Sequence, residues 1–266
     1  MKLKGQAPRV IVILFFLTIF LPSVTVDSSY RQRFHATNVA FAADESISEG
    51  EEPEEPFAKE QTVVSDPHES MNRSFFNFND KFYFWVLKPV AQFYSTFIPE
   101  GFRICVRNAF RNIEFPIRFF NNAFQGKFDR AGVEFGRFVV NSTLGMAGFF
   151  EIASRDFNLN PYDEDFGQTL GFYGVGPGPH IHWPFLGPSN LRDTLGLIGD
   201  YALNPTSYIS LIESDFLVTG GIKAGRITNN ASLRLGEYED IKKSALDPYV
   251  AIRDGHFQHR EDEIKK

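Results

Sequence analysis

The sequence is poor in several features that would place it in a familiar class. It has one cysteine, Cys105, so no disulfide can form within the chain, and no cysteine follows the N-terminal apolar run to accept an acyl anchor. Beyond that run no stretch of 18 uncharged apolar residues occurs, so no transmembrane helix is expected in the body. Residues 65–266 carry a formal charge of only −3 without a basic stripe, which argues against a nucleic-acid partner.

Motifs for nucleophilic or nucleotide chemistry are also missing from the sequence. There is no G-x-S-x-G elbow and no G-x-x-x-x-G-K-[ST] loop, so a hydrolase of that type and ATP-driven work are not expected. Cys105 occupies an apolar helical position, which favours packing over reactivity. The sequence therefore predicts no catalytic residue and no cofactor.

The N-terminus has the pattern of a targeting segment. Lys2, Lys4 and Arg9 precede an apolar run from Val10 to Leu21, and Ala40-Phe41-Ala42 offers a cleavage site. We predict a signal peptide over residues 1–42; an uncleaved membrane anchor is the alternative. The acidic residues 43–64 predict a disordered linker, which leaves 65–266 as the folded domain.

Phenylalanine is unusually frequent, with 30 in the chain, of which 24 lie in residues 65–266. From Asp66, a predicted helix cap followed by Pro67, aromatic residues recur at helical spacing along a segment that Pro89 should kink and Pro99 should end. Polar residues occupy the opposite face of this segment.

Further helices are predicted along the rest of the body, which reads as all-α without convincing strands. Gly132 and Gly136 lie at the spacing that allows two helix backbones to approach closely, and Ser189 is a predicted helix cap. The predicted ranges are 103–125 with a break at Pro116, 128–152, Ser189 to Leu203, 206–217, 222–245 and 248–264.

A glycine- and proline-rich segment from Asp163 to Asp193 interrupts the helices as a hairpin-like excursion. It is apolar, although loops usually run over the wet surface. Its pair His180 and His182, like His256 and His259 on one helix face, could contribute to a metal site, but two ligands do not make one.

The carboxylates Asp163, Glu164 and Asp165 could act as general acid or base. A structural role in capping or orienting the loop, together with Arg192, is the favoured interpretation. We therefore predict neither a metal site nor an acid–base pair.

Two interpretations of the aromatic faces remain open at this point. They could form the core of a soluble bundle, or they could lie in a membrane interface, as amphipathic helices with broad aromatic faces do. The breadth of these faces, with Tyr83, Trp85 and Tyr94 among the phenylalanines, favours the membrane.

Several motifs together resemble the MlaA/VacJ family: DPHESMNR (66–73), NFND (77–80), RFVVNSTLGMAG (137–148), EDFGQTLGFYGVGPGP (164–179), LGPSNLRD (186–193) and DPYVAIRDGHFQHRE (247–261). The resemblance implies an all-α ring of amphipathic, partly kinked helices, embedded in the periplasmic leaflet of the outer membrane. It also implies a central channel through which mislocalised phospholipids leave the outer leaflet for a periplasmic carrier protein. Trimeric porins are the implied partners.

The resemblance further implies that the glycine- and proline-rich hairpin lines or gates the channel. Its residues in this sequence are Gly171, Phe172, Tyr173, Gly174, Gly176, Pro177, Gly178, Pro179, Trp183 and Phe185, of which the aromatic ones are expected to face acyl chains. A polar route for the headgroup is expected to involve Asn72, Asn77, Asn79, Asn141 and Arg192. His180 departs from the aromatic residue that the family usually has after this turn.

Two other functions remain as alternatives. One is a periplasmic phospholipid hydrolase or acyltransferase that uses Ser189 or the pair His180 and His182. The other is a purely structural partner of porins.

Overall fold

The structure is a computed structural model that describes residues 64–208 and 216–266. The predicted signal peptide and nearly all of the predicted linker lie outside these residues. The described chain is mainly helical, as predicted. Its α-helices are α1 (Glu69–Phe82), α2 (Lys88–Phe97), α3 (Glu100–Ile113), α4 (Phe115–Phe124), α5 (Phe128–Thr143), α6 (Ile152–Phe157), α7 (Phe166–Phe172), α8 (Leu191–Leu203), α9 (Phe216–Ser232), α10 (Glu237–Ser244) and α11 (Pro248–Ile264).

The first helix begins later than the capping pattern predicts. α1 starts at Glu69 after an uncapped His68, because the Asp66 carboxylate accepts hydrogen bonds from Asn72, Tyr249 and Arg253 instead. Asp66 thus makes tertiary hydrogen bonds instead of capping α1.

The prolines act largely as predicted. A π-helical turn, Tyr83–Leu87, separates α1 from α2 just before Pro89, whose ring and missing N–H disrupt the preceding α-helical turn. α2 ends two residues before Pro99, and a break next to Pro116 separates α3 from α4.

Three other predicted boundaries need correction. The helix from residue 128 ends at Thr143, and the chain then turns through Met146, Ala147 and Gly148, which have φ values of +52, +57 and +88°. The cap of α8 is Asn190, whose side chain accepts from the backbone N–H of Asp193. The stretch predicted as one helix over 222–245 is broken before Gly236, which has a φ of +101°.

The glycine- and proline-rich segment contains two short strands that the sequence did not predict. β1 (His180–Trp183) pairs antiparallel with β2 (Gly187–Asn190), so Ser189 lies opposite Ile181 instead of capping a helix. Each strand has only four residues, too few for an alternating pattern to stand out in the sequence.

The contacts between elements close into a ring. α1 continues through the π-helical turn into α2. From there each element contacts the next in the order α2, α9, α3, α4, α7, α11, β2 and β1, and β1 contacts α1. α5 packs on α4, and α8 packs on α7 and β2. This closed order of contacts agrees with the predicted ring-like bundle.

The distribution of polarity is inverted relative to an ordinary globular protein. Among the described residues the buried apolar ones are few: Phe76, Ala91, Ala131, Ala153 and Tyr249. Polar and charged side chains outnumber them inside, whereas Trp85, Phe93 and Phe97 are 76, 68 and 66% exposed. The aromatic faces therefore point outward and are not the core of a soluble bundle. In the described part of the chain, none of the helices is both long and apolar enough to cross a bilayer.

Candidate functional site

Two adjoining cavities lie among the elements of the ring and share Asp165, His256 and Arg260 in their walls. The larger has a volume of about 390 Å³ and is walled by α3, α4, α7, α11 and the segment before α7. The smaller, of about 220 Å³, is walled mainly by the hairpin and α8. We treat the two together as the candidate site.

Arg260 on α11 is the hub of the shared wall. Its guanidinium donates to Asp165 at 2.6 and 2.9 Å, to Asp193 at 2.8 Å and to Glu263 at 3.2 Å. Burial would lower the pKa of Arg260, but Asp165 and Asp193 raise it above its ordinary value. Burial would likewise raise the pKa of Asp193, but hydrogen bonds from Arg260 and Arg192 lower it. The network holds α7, α8 and α11 together around the cavities.

Asp200 on α8 behaves differently, although it lines the smaller cavity close by. Burial and the charge of Asp165 raise the pKa of Asp200 to about 6, despite hydrogen bonds from the Phe166 N–H and from Asn121. Asp193 and Asp200 line the same cavity, yet their surroundings lower the pKa of the first and raise the pKa of the second.

The hairpin is fixed to α1 by two asparagines. Asn72 donates to the carbonyl of His180 at 3.1 Å and accepts from the N–H of His182 at 2.9 Å. Two turns further along the same face of α1, Asn79 donates to the carbonyl of Trp183 at 2.8 Å and accepts from the N–H of Phe185 at 2.7 Å. Each amide therefore satisfies a donor and an acceptor of the hairpin backbone.

The other predicted polar residues lie apart from these two. Asn141 is buried, where it donates to Glu151 and accepts from the N–H of Ala153. Arg192 is buried and pairs with Asp193 at 3.0 Å, and not with the carboxylates before α7. Asn77 is exposed on α1.

The predicted aromatic residues of the hairpin divide between the two sides of the ring. Trp183 lines the smaller cavity and donates from Nε1 to Thr194 at 3.0 Å. Phe185 is 66% exposed and packs edge-on against Phe78 and Phe82 at 5.0 Å. Phe172 and Tyr173 are exposed next to the turn.

The predicted glycines and prolines shape the chain between α7 and α8. Gly174 and Gly178 have φ values of +84 and +67°, which side-chain-bearing residues rarely adopt, whereas Gly176 has open space around it. A Cβ on Gly171 would lie 2.6 Å from Ile264. The carbonyls of Pro177 and Pro179 accept from the N–H groups of Arg192 and Leu191, which starts α8 against this turn.

The predicted acidic triplet has a structural place. Asp163 accepts from Arg111 at 2.6 Å, Glu164 pairs with Lys127 at 2.9 Å, and Asp165 caps α7 by accepting from the N–H of Gln168. Each carboxylate thus joins the segment before α7 to a neighbouring element.

Side chains alternate between the two faces of a strand, so His180 and His182 lie on the same face of β1. Both are buried, with ring centroids 6.1 Å apart. The hydroxyls of Ser189 and Thr194 form a hydrogen bond of 3.2 Å between Oγ and Oγ1. Within residues 64–208 and 216–266 there is no group of three His, Cys, Asp or Glu side chains placed to hold a metal ion.

The sequence did not single out Arg260 or Arg118 as site residues. For Arg260 a signal was present, because His256 and Arg260 are four residues apart on one face of α11. For Arg118 the sequence contains no such signal. Its partner Glu134 is fully buried on α5, and only the packing of two helices brings Arg118 Nε within 2.7 Å of the carboxylate.

The helices of the ring expose aromatic side chains and enclose charged ones. This arrangement is typical of proteins whose amphipathic helices contact an apolar environment such as a membrane interface. A family model described as MlaA lipoprotein matches residues 64–263. This chain belongs to that family.

Two relatives that carry the MlaA name agree with this assignment, and an uncharacterized protein is similar over the same share of the chain. The intermembrane phospholipid transport system lipoprotein MlaA of Escherichia coli is 32% identical over 208 residues, covering 76% of this chain and 79% of the relative. Its Haemophilus influenzae counterpart is 28% identical over 210 residues, with coverages of 76 and 80%. An uncharacterized protein of Rickettsia bellii is 34% identical over 203 residues, with coverages of 76 and 78%.

The fold agrees with a solved structure from work described as "Structural basis for maintenance of bacterial outer membrane lipid asymmetry". The TM-score is 0.65 at 30% identity, and the match covers 75% of this chain and 99% of the other.

Proposed function

We propose that this chain takes part in intermembrane phospholipid transport and helps to maintain the lipid asymmetry of the outer membrane. Mislocalised phospholipids would leave the outer leaflet through the interior of the ring and reach a soluble periplasmic carrier. The observation that carries this proposal is the inverted polarity: large aromatic residues are exposed, whereas the two cavities are lined with charged residues.

The outer surface supports a position among lipids. Trp85, Phe93 and Phe97 expose most of their side chains along one stretch of α1 to α2. Placing such side chains in water is unfavourable by roughly 25 cal/mol for each Å² of apolar area. Immersion of these side chains in the periplasmic leaflet removes that cost, so the protein does not need an acyl anchor to be held there.

The interior supports a route for the polar part of a lipid. A headgroup cannot cross the apolar core of a leaflet without losing its hydrogen bonds. The larger cavity offers both charge signs, from Arg111, Arg118 and Arg260 on one hand and Asp163 and Glu263 on the other. Acyl chains can meanwhile stay among the aromatic residues outside.

In this mechanism Asn72 and Asn79 position the hairpin, and Asn141 and Arg192 brace the helices behind it. Trp183 forms part of the wall, whereas Phe172, Tyr173 and Phe185 contact acyl chains. The hairpin would line or gate the passage, with Gly174 and Gly178 allowing its turns.

The step would be passive and non-enzymatic, since the carrier and an energised complex elsewhere would set the direction. A trimeric porin would be a neighbour in the membrane. The hydrolase alternative has no supporting observation in the site, because Ser189 Oγ is engaged with Thr194 and with the carbonyl of Asn190.

The proposal can be tested with large vesicles that carry a short-chain fluorescent phospholipid only in the inner leaflet. Purified protein is added outside together with albumin, which extracts the lipid once it reaches the outer surface. We expect the protein to accelerate extraction. Ile117→Trp should abolish the acceleration, because Ile117 lines the larger cavity and the indole would fill it.

Ile113→Trp is the matched control, because Ile113 is exposed on the outside of α3. It should leave the rate unchanged. Extraction that is no faster with protein, or that proceeds equally in both variants, would contradict passage through the ring. Chromatography of the extracted lipid shows whether it is intact; cleavage products would favour the hydrolase.

A further inference from the structure

The ion pairs in the wall of the larger cavity differ in how far they are exposed. Arg111 on α3 donates from Nη2 to both carboxylate oxygens of Asp163, at 2.6 and 2.7 Å, and the two side chains are 39 and 59% exposed. The other ion pairs that the described residues form in this wall each include a partner that is largely shielded from solvent. A competing ligand can therefore reach the pair of Arg111 and Asp163. Breaking it costs little, since exposed ion pairs contribute little to stability.

The charges behind this exposed pair balance one another. Glu134 is fully buried on α5 and pairs with Arg118 at 2.7 Å. Arg137 pairs with Glu151, also at 2.7 Å. Two cations and two anions thus neutralise each other, which leaves the charge of Arg111 to the exposed carboxylate. When that carboxylate moves away, the group as a whole has one positive charge in excess.

The carboxylate of Asp163 marks the position that another anion can take. Its Oδ1 lies 2.6 Å from Arg111 Nη2 and 3.9 Å from Arg118 Nε, so two guanidinium groups converge on it. Arg118 is held in place because Nε donates to Glu134 and Nη2 donates to the carbonyl of Arg111 at 3.0 Å. Guanidinium groups form strong two-point hydrogen bonds with phosphate oxygens. A phosphodiester also carries the single negative charge that this position requires.

The chain around Asp163 allows the exchange. Asp163 lies between α6 and α7, where the chain forms neither helix nor strand. Its neighbours are anchored independently, because the N–H of Tyr162 donates to Glu134 at 2.9 Å and Glu164 pairs with Lys127 at 2.9 Å. A rotation of the Asp163 side chain is therefore sufficient to uncover the guanidinium groups.

We propose that Arg111 and Arg118 form a binding site for the phosphate of a phospholipid headgroup, and that Asp163 occupies this site until the phosphate displaces it. This inference rests on the proposed function, since it presumes that phospholipid headgroups enter the cavity. The exchange conserves the charge of the wall, because one carboxylate leaves as one phosphodiester arrives. The cavity volume of about 390 Å³ is in the range of small-molecule sites.

Native mass spectrometry of the purified protein in a mild detergent tests whether the phosphate is recognised. The protein is equilibrated with equal amounts of phosphatidylglycerol and of a diacylglycerol that has the same acyl chains but no phosphate, and the bound lipids are counted. We expect phosphatidylglycerol to be enriched. Arg111→Gln should reduce its binding roughly ten-fold, because charge-assisted hydrogen bonds to the phosphate are lost. Binding of the diacylglycerol should stay the same.

Asp163→Asn separates this proposal from a purely structural ion pair. Arg111→Gln and Asp163→Asn break the same pair, so a structural role would make both act in the same direction. If Asp163 competes with the phosphate, Asp163→Asn should instead strengthen binding of phosphatidylglycerol about three-fold, which corresponds to the loss of one exposed ion pair. Arg155→Gln and Asp156→Asn are the matched controls, because they break an exposed pair that does not line the cavity. Both should leave binding unchanged.

Inorganic phosphate distinguishes the lipid from the free ion as the ligand. Added at the concentration of the lipid, it should displace little phosphatidylglycerol, because it lacks the acyl chains that also hold the lipid. Complete displacement would identify free phosphate as the ligand and overturn the assignment to a lipid headgroup.

The inference would also be overturned by equal binding of the two lipids to the unaltered protein, or by Asp163→Asn failing to strengthen binding of phosphatidylglycerol. If the protein still accelerates extraction from vesicles in that case, the inference alone fails. If it neither binds phospholipid nor accelerates extraction, the proposed function fails as well.

Discussion

Arg260 and Asp165 form a two-point ion pair across 95 residues of chain, with Nη1–Oδ2 and Nη2–Oδ1 distances of 2.6 and 2.9 Å. The same carboxylate accepts from the N–H of Gln168 and so caps α7. One side chain thus starts a short helix and binds α11 to it. Because α7 and α11 are consecutive members of the ring, this pair helps to close it.

Replacing Arg260 with Gln should therefore destabilise the fold strongly. The change leaves Asp165 and Asp193 without their main counter-charge in a mostly buried site. Breaking a buried ion pair in this way costs about 3–5 kcal/mol of unfolding free energy. Denaturant unfolding in detergent solution measures the change.

Arg155→Gln serves as the control for Arg260, since Arg155 pairs with Asp156 at the exposed surface. Its unfolding midpoint should stay that of the unaltered protein. Equal losses in the two variants would show that Arg260 acts as an ordinary surface charge.

Asn72→Ala should loosen the hairpin. The substitution leaves the buried carbonyl of His180 and N–H of His182 without their partner on α1. Two unsatisfied backbone groups should cost about 2–4 kcal/mol, and the amide of His182 should exchange its hydrogen faster. Hydrogen–deuterium exchange followed by mass spectrometry reports both effects on the peptide that contains β1.

Asn77→Ala is the control on the same helix, because Asn77 is exposed. It should change neither stability nor exchange. If exchange of the hairpin were the same in the two variants, the asparagine would not be what holds it.

Gly196→Ala should force α7 and α8 apart. A Cβ at Gly196 would lie 2.5 Å from the backbone nitrogen of Gly167, which cannot move without moving a helix. We expect a loss of about 1–3 kcal/mol in unfolding free energy. Thermal melting followed by circular dichroism measures it.

Gly132→Ala is the matched control, although Gly132 and Gly136 were the residues predicted to allow close helix packing. That prediction was wrong: a Cβ at Gly132 would meet nothing within 4 Å, and one at Gly136 would make an ordinary 3.7 Å contact with Leu159. Gly132→Ala should therefore stabilise α5 by about 0.5–1 kcal/mol. A loss as large as that of Gly196→Ala would contradict this account.

Stability should decrease as the pH falls from about 6.5 to 4. Burial lowers the pKa of His182 and of His256 to about 4, with further lowering by neighbouring histidines, so in this range the unfolded chain binds more protons than the folded one. Asp200 acts in the opposite direction, because its pKa is raised to about 6 and the folded state gains its proton first. The two histidines together outweigh this single carboxylate.

The contribution of one histidine can be isolated with His182→Gln. The dependence of unfolding free energy on pH should become shallower by about one proton between pH 4 and 6.5. His68→Gln is the control, since His68 is exposed before α1. The same slope in the His182 variant and the unaltered protein would rule out this origin of the pH dependence.

The features that the sequence predicted correctly are those with local causes. Pro89, Pro99 and Pro116 placed breaks in the helices because a proline restricts its own turn and the residue before it. The helix from Pro248 to Ile264 was predicted with its observed ends. The breadth of the aromatic faces predicted that they are too large for an ordinary core, and Trp85, Phe93 and Phe97 are indeed exposed.

The candidate site depended on partners that are distant in sequence. Asp66 looked like a helix cap, yet Tyr249 and Arg253 bind it. Asn72, which was predicted to line a polar route, holds strand β1 to α1. A short polar side chain can satisfy either a local or a distant partner, and the free energies of the two are similar. The sequence by itself thus determined where helices break and which faces are apolar. Only the tertiary structure decided which charges meet, because that depends on how the ring closes.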